Sequence, residues 1–199
     1  MAGMSGGRGR DGRGRAVSGV NVSKRIALVL RHRPDSIGIT LDEAGWVDVS
    51  DLLAALSRHG LQLSREDLEH VVQTSDKQRF ALDPAGRRIR ASQGHSVPVD
   101  LGYAPAPPPA VLYHGTPLRN VAAIEAEGLR RGSRHHVHLS SDVATAGRVG
   151  QRRGPSTVFT VDAAGLAAAG AVFYLSANDV WLVDAVPPEY LSTTPSASR

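Results

Sequence analysis

Cysteine is absent from the 199 residues, so the chain has no disulfide framework and no thiolate metal site, and any nucleophile must be another side chain. That absence leaves the redox compartment open. No apolar run reaches membrane-spanning length, and the basic N-terminus leads into no hydrophobic signal core, so the expected location is cytoplasmic. Acids are nearly missing from residues 128–154, where Arg130, Arg131, Arg134, Arg148, Arg152 and Arg153 face Asp142 alone. Lys and Arg are missing in turn from residues 155–198, which hold Asp162, Asp179, Asp184 and Glu189. The net charge of +4 and the pI near 9.9 say less than this distribution does. Arg8, Arg10, Arg13 and Arg15 against Asp11 put +3 of that charge in residues 1–16, leaving +1 for everything else. The basic surface is therefore a patch within the fold.

The chain is long enough for two small domains, and its composition divides it accordingly. Residues 1–16 are Gly/Arg-rich with little to bury, which predicts a disordered tail that either solubilises the protein or touches RNA electrostatically. Residues 17–96 predict three helices and a hairpin. Val22, Ile26, Val29 and Leu30 recur at helical spacing until Pro34, Ser50 is the expected cap of a helix with Leu52, Leu53 and Leu56, and Ser64 with Asp67 caps the next. Arg79 to Leu82, a turn at Asp83-Pro84-Ala85-Gly86, and Arg87 to Arg90 read as strand, turn and strand. Trp46 is the expected aromatic anchor of this lobe, which is winged-helix-like. The prolines of residues 97–110 mark a linker. Residues 111–192 predict a compact β-rich lobe of short strands with few helices, and 193–199 a second disordered tail. The fold class is α+β.

Several stretches could carry chemistry. Leu30-Arg31-His32-Arg33-Pro34 places cations at a helix C-terminus, which the macrodipole alone would favour; Arg also offers a planar fork for phosphate oxygens, and His moves protons near neutral pH. Arg79, alternating with the inward-facing Phe80, reads in isolation as a solvated strand residue. Tyr113-His114-Gly115-Thr116 joins a strand to a helix, with a glycine that permits close backbone approach to a ligand. In Arg134-His135-His136-Val137-His138-Leu139-Ser140, alternation sends His136 and His138 to one face. Two strand histidines without a carboxylate or thiol cluster make a poor zinc site, so a ligand-lining strand is the better reading. Val149-Gly150-Gln151-Arg152-Arg153-Gly154 suits a basic loop over a phosphate, or a solvated loop.

In this order, Ser23-Lys24 with Leu30 to Pro34, Gly45-Trp46-Val47, Lys77-Gln78-Arg79-Phe80, Gln93-Gly94-His95-Ser96, Tyr113 to Thr116, His136 to Ser140 and Val180-Trp181-Leu182 resemble the NAD-dependent tRNA 2′-phosphotransferase family, from about Val22 to Leu191. The resemblance implies a winged-helix lobe followed by an ADP-ribosyltransferase lobe. It carries a functional tetrad onto Arg31, His32, Arg79 and Arg134, read as a phosphate clamp shared between the lobes. It also implies an NAD site with His114 and His138, to which the adjoining motifs and basic loop add Gly115, Thr116, Ser140, Asp142, Gly150 and Arg152. An apolar residue around Val180 replaces the acid of many ADP-ribosyltransferases, and Arg153 stands where relatives often carry His.

The implied reaction consumes NAD. An RNA 2′-phosphate attacks the nicotinamide ribose and expels nicotinamide; the ribose 2″-hydroxyl then attacks that phosphorus, releasing RNA with a free 2′-hydroxyl and ADP-ribose 1″,2″-cyclic phosphate. Charge builds on phosphoryl oxygens, where Arg forks act, and His32 orients the phosphate or moves a proton. The implied partner is RNA bearing a 2′-phosphate, with no membrane and no metal, and the protein is expected to be a monomer. Rival readings are an ADP-ribosyltransferase that modifies a terminal nucleic-acid phosphate or a protein, and a non-catalytic winged-helix nucleic-acid binder that uses Arg87, Arg88 and Arg90.

Overall fold

A computed structural model describes residues 9–11, 16–17, 19–75 and 78–193. The chain is mixed helix and sheet, α+β as expected, and divides into two compact units, Met1–Gly102 and Tyr103–Arg199.

Unit 1 begins with β1 (Gly9–Asp11) and β2 (Ala16–Val17), which pair with each other, so part of the segment expected to be unstructured is strand; the rest of 1–16 lies outside the described residues. Helix α1 (Gly19–His32) buries Val22, Ile26, Val29 and Leu30, the periodic positions of the sequence, and gives way at Pro34 to a short 3₁₀ turn. Strand β3 (Val47–Asp48) runs directly into α2 (Val49–Arg58). The cap position is therefore Asp48 rather than Ser50, because β3 stays paired with the hairpin through Asp48 and Val49 is already buried in the helix. After β4 (Leu61–Gln62), which pairs with β1, α3 (Arg65–Gln73) opens on a complete capping box: Ser64 Oγ accepts the Asp67 N–H, and Asp67 Oδ2 accepts the Ser64 N–H. The hairpin β5 (Phe80–Leu82) and β6 (Arg88–Ala91) joins β3 in the order β3-β6-β5. Its inner face puts Phe80, Ile89 and Ala91 against Leu52, Leu56 and Leu68. Trp46 is not in this core. It lies half-buried on the outer face, where sheet alternation sends Arg88 and Arg90, whose guanidinium carbons stand 5.4 and 4.5 Å from its ring centroid.

Unit 2 is built on β7 (Val111–Pro117). Helix α4 (Val121–Glu127) ends at Gly128, whose φ of 78° favours glycine, and leads into β8 (Leu129–Arg130) and β9 (Val137–Leu139). Helix α5 (Val143–Gly150) and strand β10 (Ser156–Asp162) follow, then α6 (Ala163–Ala168), β11 (Tyr174–Leu175), β12 (Trp181–Val183), β13 (Ala185–Val186) and β14 (Leu191–Thr193). The strand orders are β14-β10-β7, β11-β12-β9 and β13-β8, all antiparallel. Leu112, Phe159 and Val161 from the first sheet pack against Val137, Leu139 and Val183 from the second. The helices α5 and α6 were not expected, although Asp142 and Asp162 cap them by accepting the Thr145 and Gly165 N–H groups. Strand β14 reaches one residue into the expected C-terminal tail, and 194–199 lie outside the described residues. Among the described residues no helix is long and apolar enough to cross a membrane.

Where α5 crosses β7 the backbones meet without side chains between them. A Cβ built on Gly115 would sit 1.7 Å from the Ala146 carbonyl oxygen, and one on Gly150 would sit 2.9 Å from the Thr116 nitrogen. Gly115→Ala must push α5 off the strand, and the expected loss is about 2 kcal/mol or more, as for overpacked interiors. Thermal unfolding checks this; an unchanged midpoint would contradict the contact.

Candidate functional site

In unit 1 the cationic end of α1 meets the entry to the hairpin. Arg31 Nη2 donates to the Arg79 carbonyl at 3.4 Å, and Arg79 Nη1 donates to Ser23 Oγ at 3.1 Å. His32 Nδ1 and Ser96 Oγ are 2.9 Å apart and share a hydrogen bond, while the Ser96 N–H donates to the Arg31 carbonyl at 2.9 Å. Ser92 closes the group: its N–H donates to the Arg79 carbonyl at 2.9 Å and its hydroxyl to the Gln78 carbonyl at 2.7 Å. Residues far apart in sequence are thus stitched into one cluster containing Arg31, His32 and Arg79. The segment after β6 supplies most of the thread.

In unit 2 the cluster forms where β7 meets β9. Tyr113 and Ser140 exchange backbone hydrogen bonds of 2.9 and 2.8 Å, which brings His114 beside His138. His114 Nδ1 lies 3.0 Å from the His138 carbonyl, and Arg134 Nη1 lies 3.1 Å from His138 Nδ1. These partners assign the tautomers. A carbonyl only accepts, so His114 carries its proton on Nδ1 and its Nε2 is an acceptor. A guanidinium only donates, so His138 Nδ1 accepts and a neutral His138 carries its proton on Nε2. Neighbouring imidazoles therefore offer opposite hydrogen-bond character. Burial keeps the His114 ring below its ordinary pKa; the His138 carbonyl bond raises it in part, and the Arg134 charge lowers it further. His136, on the same face as His138, is likewise held down chiefly by burial, and its ring tilts against Tyr174 at 5.4 Å between centroids. Among the described residues no group of three or more His, Asp or Glu side chains could hold a metal ion.

The remaining positions singled out from sequence have mostly structural tasks. Gly115 and Gly150 admit the α5 backbone, so the close approach seen at Gly115 is that of the helix. Thr116 is buried, with its hydroxyl accepting from Asn120 Nδ2 at 3.3 Å. Asp142 caps α5, and the Thr145 backbone N–H holds its carboxyl below the usual range. Arg152 is exposed on the turn after α5, and the Arg153 side chain lies outside the described residues. Sequence reasoning gave no task to Ser23, Ser92, Ser96 or Tyr174. Ser23 and Ser96 stand in quoted motifs, and small hydroxyl residues flanking cationic ones were the available signal.

The neutral histidines set a pH dependence. In the unfolded chain His114 and His136 take up protons near pH 6.5, whereas the folded chain resists until lower pH. Between those values the unfolded state binds more protons, so stability rises with pH up to about 6.5 and levels above it. Urea unfolding from pH 5 to 8 is expected to show this slope, reduced in His114→Asn, which keeps a donor toward the His138 carbonyl. An equal slope in both proteins would contradict it.

A family model described as RNA 2′-phosphotransferase, Tpt1 / KptA family, matches residues 18–185. A protein of Streptomyces griseus named "Probable RNA 2′-phosphotransferase" is 56% identical over 179 residues, 86% of this chain and 95% of its own length. Proteins with the same name from Hahella chejuensis and Nostoc punctiforme are 55% identical over 170 residues and 52% identical over 172, covering 85% and 86% of this chain and 91% and 95% of theirs. The chain belongs to the RNA 2′-phosphotransferase, Tpt1 / KptA family.

Proposed function

We propose that the protein is an RNA 2′-phosphotransferase that removes an internal 2′-phosphate from RNA by transfer to NAD, releasing nicotinamide and ADP-ribose 1″,2″-cyclic phosphate. The carrying observation is the unit 1 cluster, in which Arg31 and Arg79 are tied through the Arg79 carbonyl and His32 is held at Nδ1 by Ser96. Guanidinium forks match the oxygens of a phosphate with paired hydrogen bonds, which supports a phosphate as the group gripped. The helices α1 to α3 followed by the hairpin β5 and β6 support a winged-helix reading of unit 1, and the short antiparallel sheets of unit 2 an ADP-ribosyltransferase one.

The unit 2 cluster fits NAD by its donor set. An acceptor at His114 Nε2 and a donor at His138 Nε2 match the mixed donors and acceptors of a carboxamide or a ribose diol, and a His114 ring kept neutral by burial does not repel a pyridinium cation. When bound, NAD supplies an electrophilic ribose carbon with nicotinamide as leaving group. In unit 1, Arg31 and Arg79 offset charge on phosphoryl oxygens and His32 orients the phosphate or moves its proton; in unit 2, Arg134 donates to His138 Nδ1. Ordering of the two clusters by hydrogen bonds made within the protein reduces what must be arranged during reaction.

The test is to incubate the protein with NAD and an RNA carrying an internal 2′-phosphate, following nicotinamide release and loss of the phosphate. Both are expected, with Arg31→Ala and Arg134→Ala each slowing turnover roughly a hundredfold or more, as loss of charge stabilisation at a reacting centre does. An RNA that keeps its phosphate would sink the reading; near-normal turnover in both variants would show that these residues do not carry it.

A further inference from the structure

We propose that Ser23 is a positioning residue that sets the Arg79 guanidinium for the substrate phosphate, an inference that rests on the phosphotransferase reading above. Ser23 stands on the buried face of α1 between Val22 and Ile26 and is 6% exposed. A hydroxyl in apolar surroundings needs a partner, and this one finds it in a side chain far along the sequence: Arg79 Nη1 donates to Ser23 Oγ at 3.1 Å.

The other end of Arg79 is held as firmly. Its carbonyl accepts from the Ser92 N–H and from Arg31 Nη2, and Gln78 before it has a φ of 41°, a conformation that costs a non-glycine residue free energy. Ser92, itself 6% exposed, ties down the Gln78 carbonyl through its hydroxyl. Backbone and tip of Arg79 are therefore both anchored. The choice of nitrogen gives the arrangement its chemical sense. With Nη1 given to Ser23, the Nε and Nη2 donors form the edge that makes paired, parallel hydrogen bonds to two oxygens of a phosphate. An Arg without this anchor must lose side-chain entropy on meeting its ligand, and its fork can turn away from that edge.

Arginine-labelled full-length protein and single-turnover assays on 2′-phosphorylated RNA with NAD test this together. In Ser23→Ala the transfer rate is expected to fall roughly tenfold, the scale of a lost hydrogen bond to a charged group, but by less than about twofold in an Arg79→Ala background. By NMR, rotation about the Arg79 Nε–Cζ bond is expected to be slow in the wild type and fast in Ser23→Ala, with thermal midpoints alike. If Ser23→Ala melts below the assay temperature, the near-isosteric Ser23→Cys takes its place. An unchanged rate, equal losses in both backgrounds, or unchanged Arg79 rotation would each overturn the proposal. An inactive wild type would count against the phosphotransferase reading instead, and the NMR comparison then decides the anchoring alone.

Discussion

Strand β7 is the constraint on which unit 2 depends. One edge pairs with β10 from Val111 to Pro117, and the Tyr113 to Ser140 bridge ties it to β9. One stretch of its surface is pressed so closely by α5 that only glycine fits at position 115. These contacts leave His114 little freedom. Its ring is held against the His138 backbone, its charge is suppressed by burial, and the tautomers of both histidines follow from what each nitrogen touches. The placement of these two histidines is a consequence of the packing around β7.

Unit 1 solves a different problem, which is to keep several cations in order near one another. Like charges repel, and a helix C-terminus offsets only part of that through its dipole. The cluster also relies on main-chain acceptors and small hydroxyls: the Arg79 carbonyl accepts from Arg31 Nη2, Ser23 Oγ accepts from Arg79 Nη1, and Ser96 Oγ shares a hydrogen bond with His32 Nδ1. The carbonyl and hydroxyl partners named here only accept from or share a proton with the cationic side chains, so they order those side chains through hydrogen bonds. The contrast with the outer face of the hairpin is direct. There Arg88 pairs with Asp42 and Asp83 and lies over Trp46.

Much of this was legible in the residues because it depends on local signals. The spacing of Val22, Ile26, Val29 and Leu30 and the Ser64 and Asp67 box specify α1 and α3, and the order of short motifs along the chain points to the family. Helix α5 escaped because Gly147 and Gly150 lower helix propensity, and the reason for Gly150 is tertiary: it is small where α5 touches β7. At Gly115 the sequence shows that a backbone could come close but not that α5 is one that does. Trp46 was legible as an aromatic anchor, but the sequence does not show that what it anchors on the sheet face is Arg88 and Arg90. Ser23 and Ser96 were visible as letters of a motif, but their tasks depend on side chains 56 and 64 residues away.

The central claim is that phosphate leaves the RNA by transfer rather than by hydrolysis. An RNA labelled with ³²P at its 2′-phosphate tests it most directly. In the presence of NAD the label is expected in a small product that also contains ADP-ribose, with none released when NAD is withheld. Label appearing as inorganic phosphate, with or without NAD, would contradict the account.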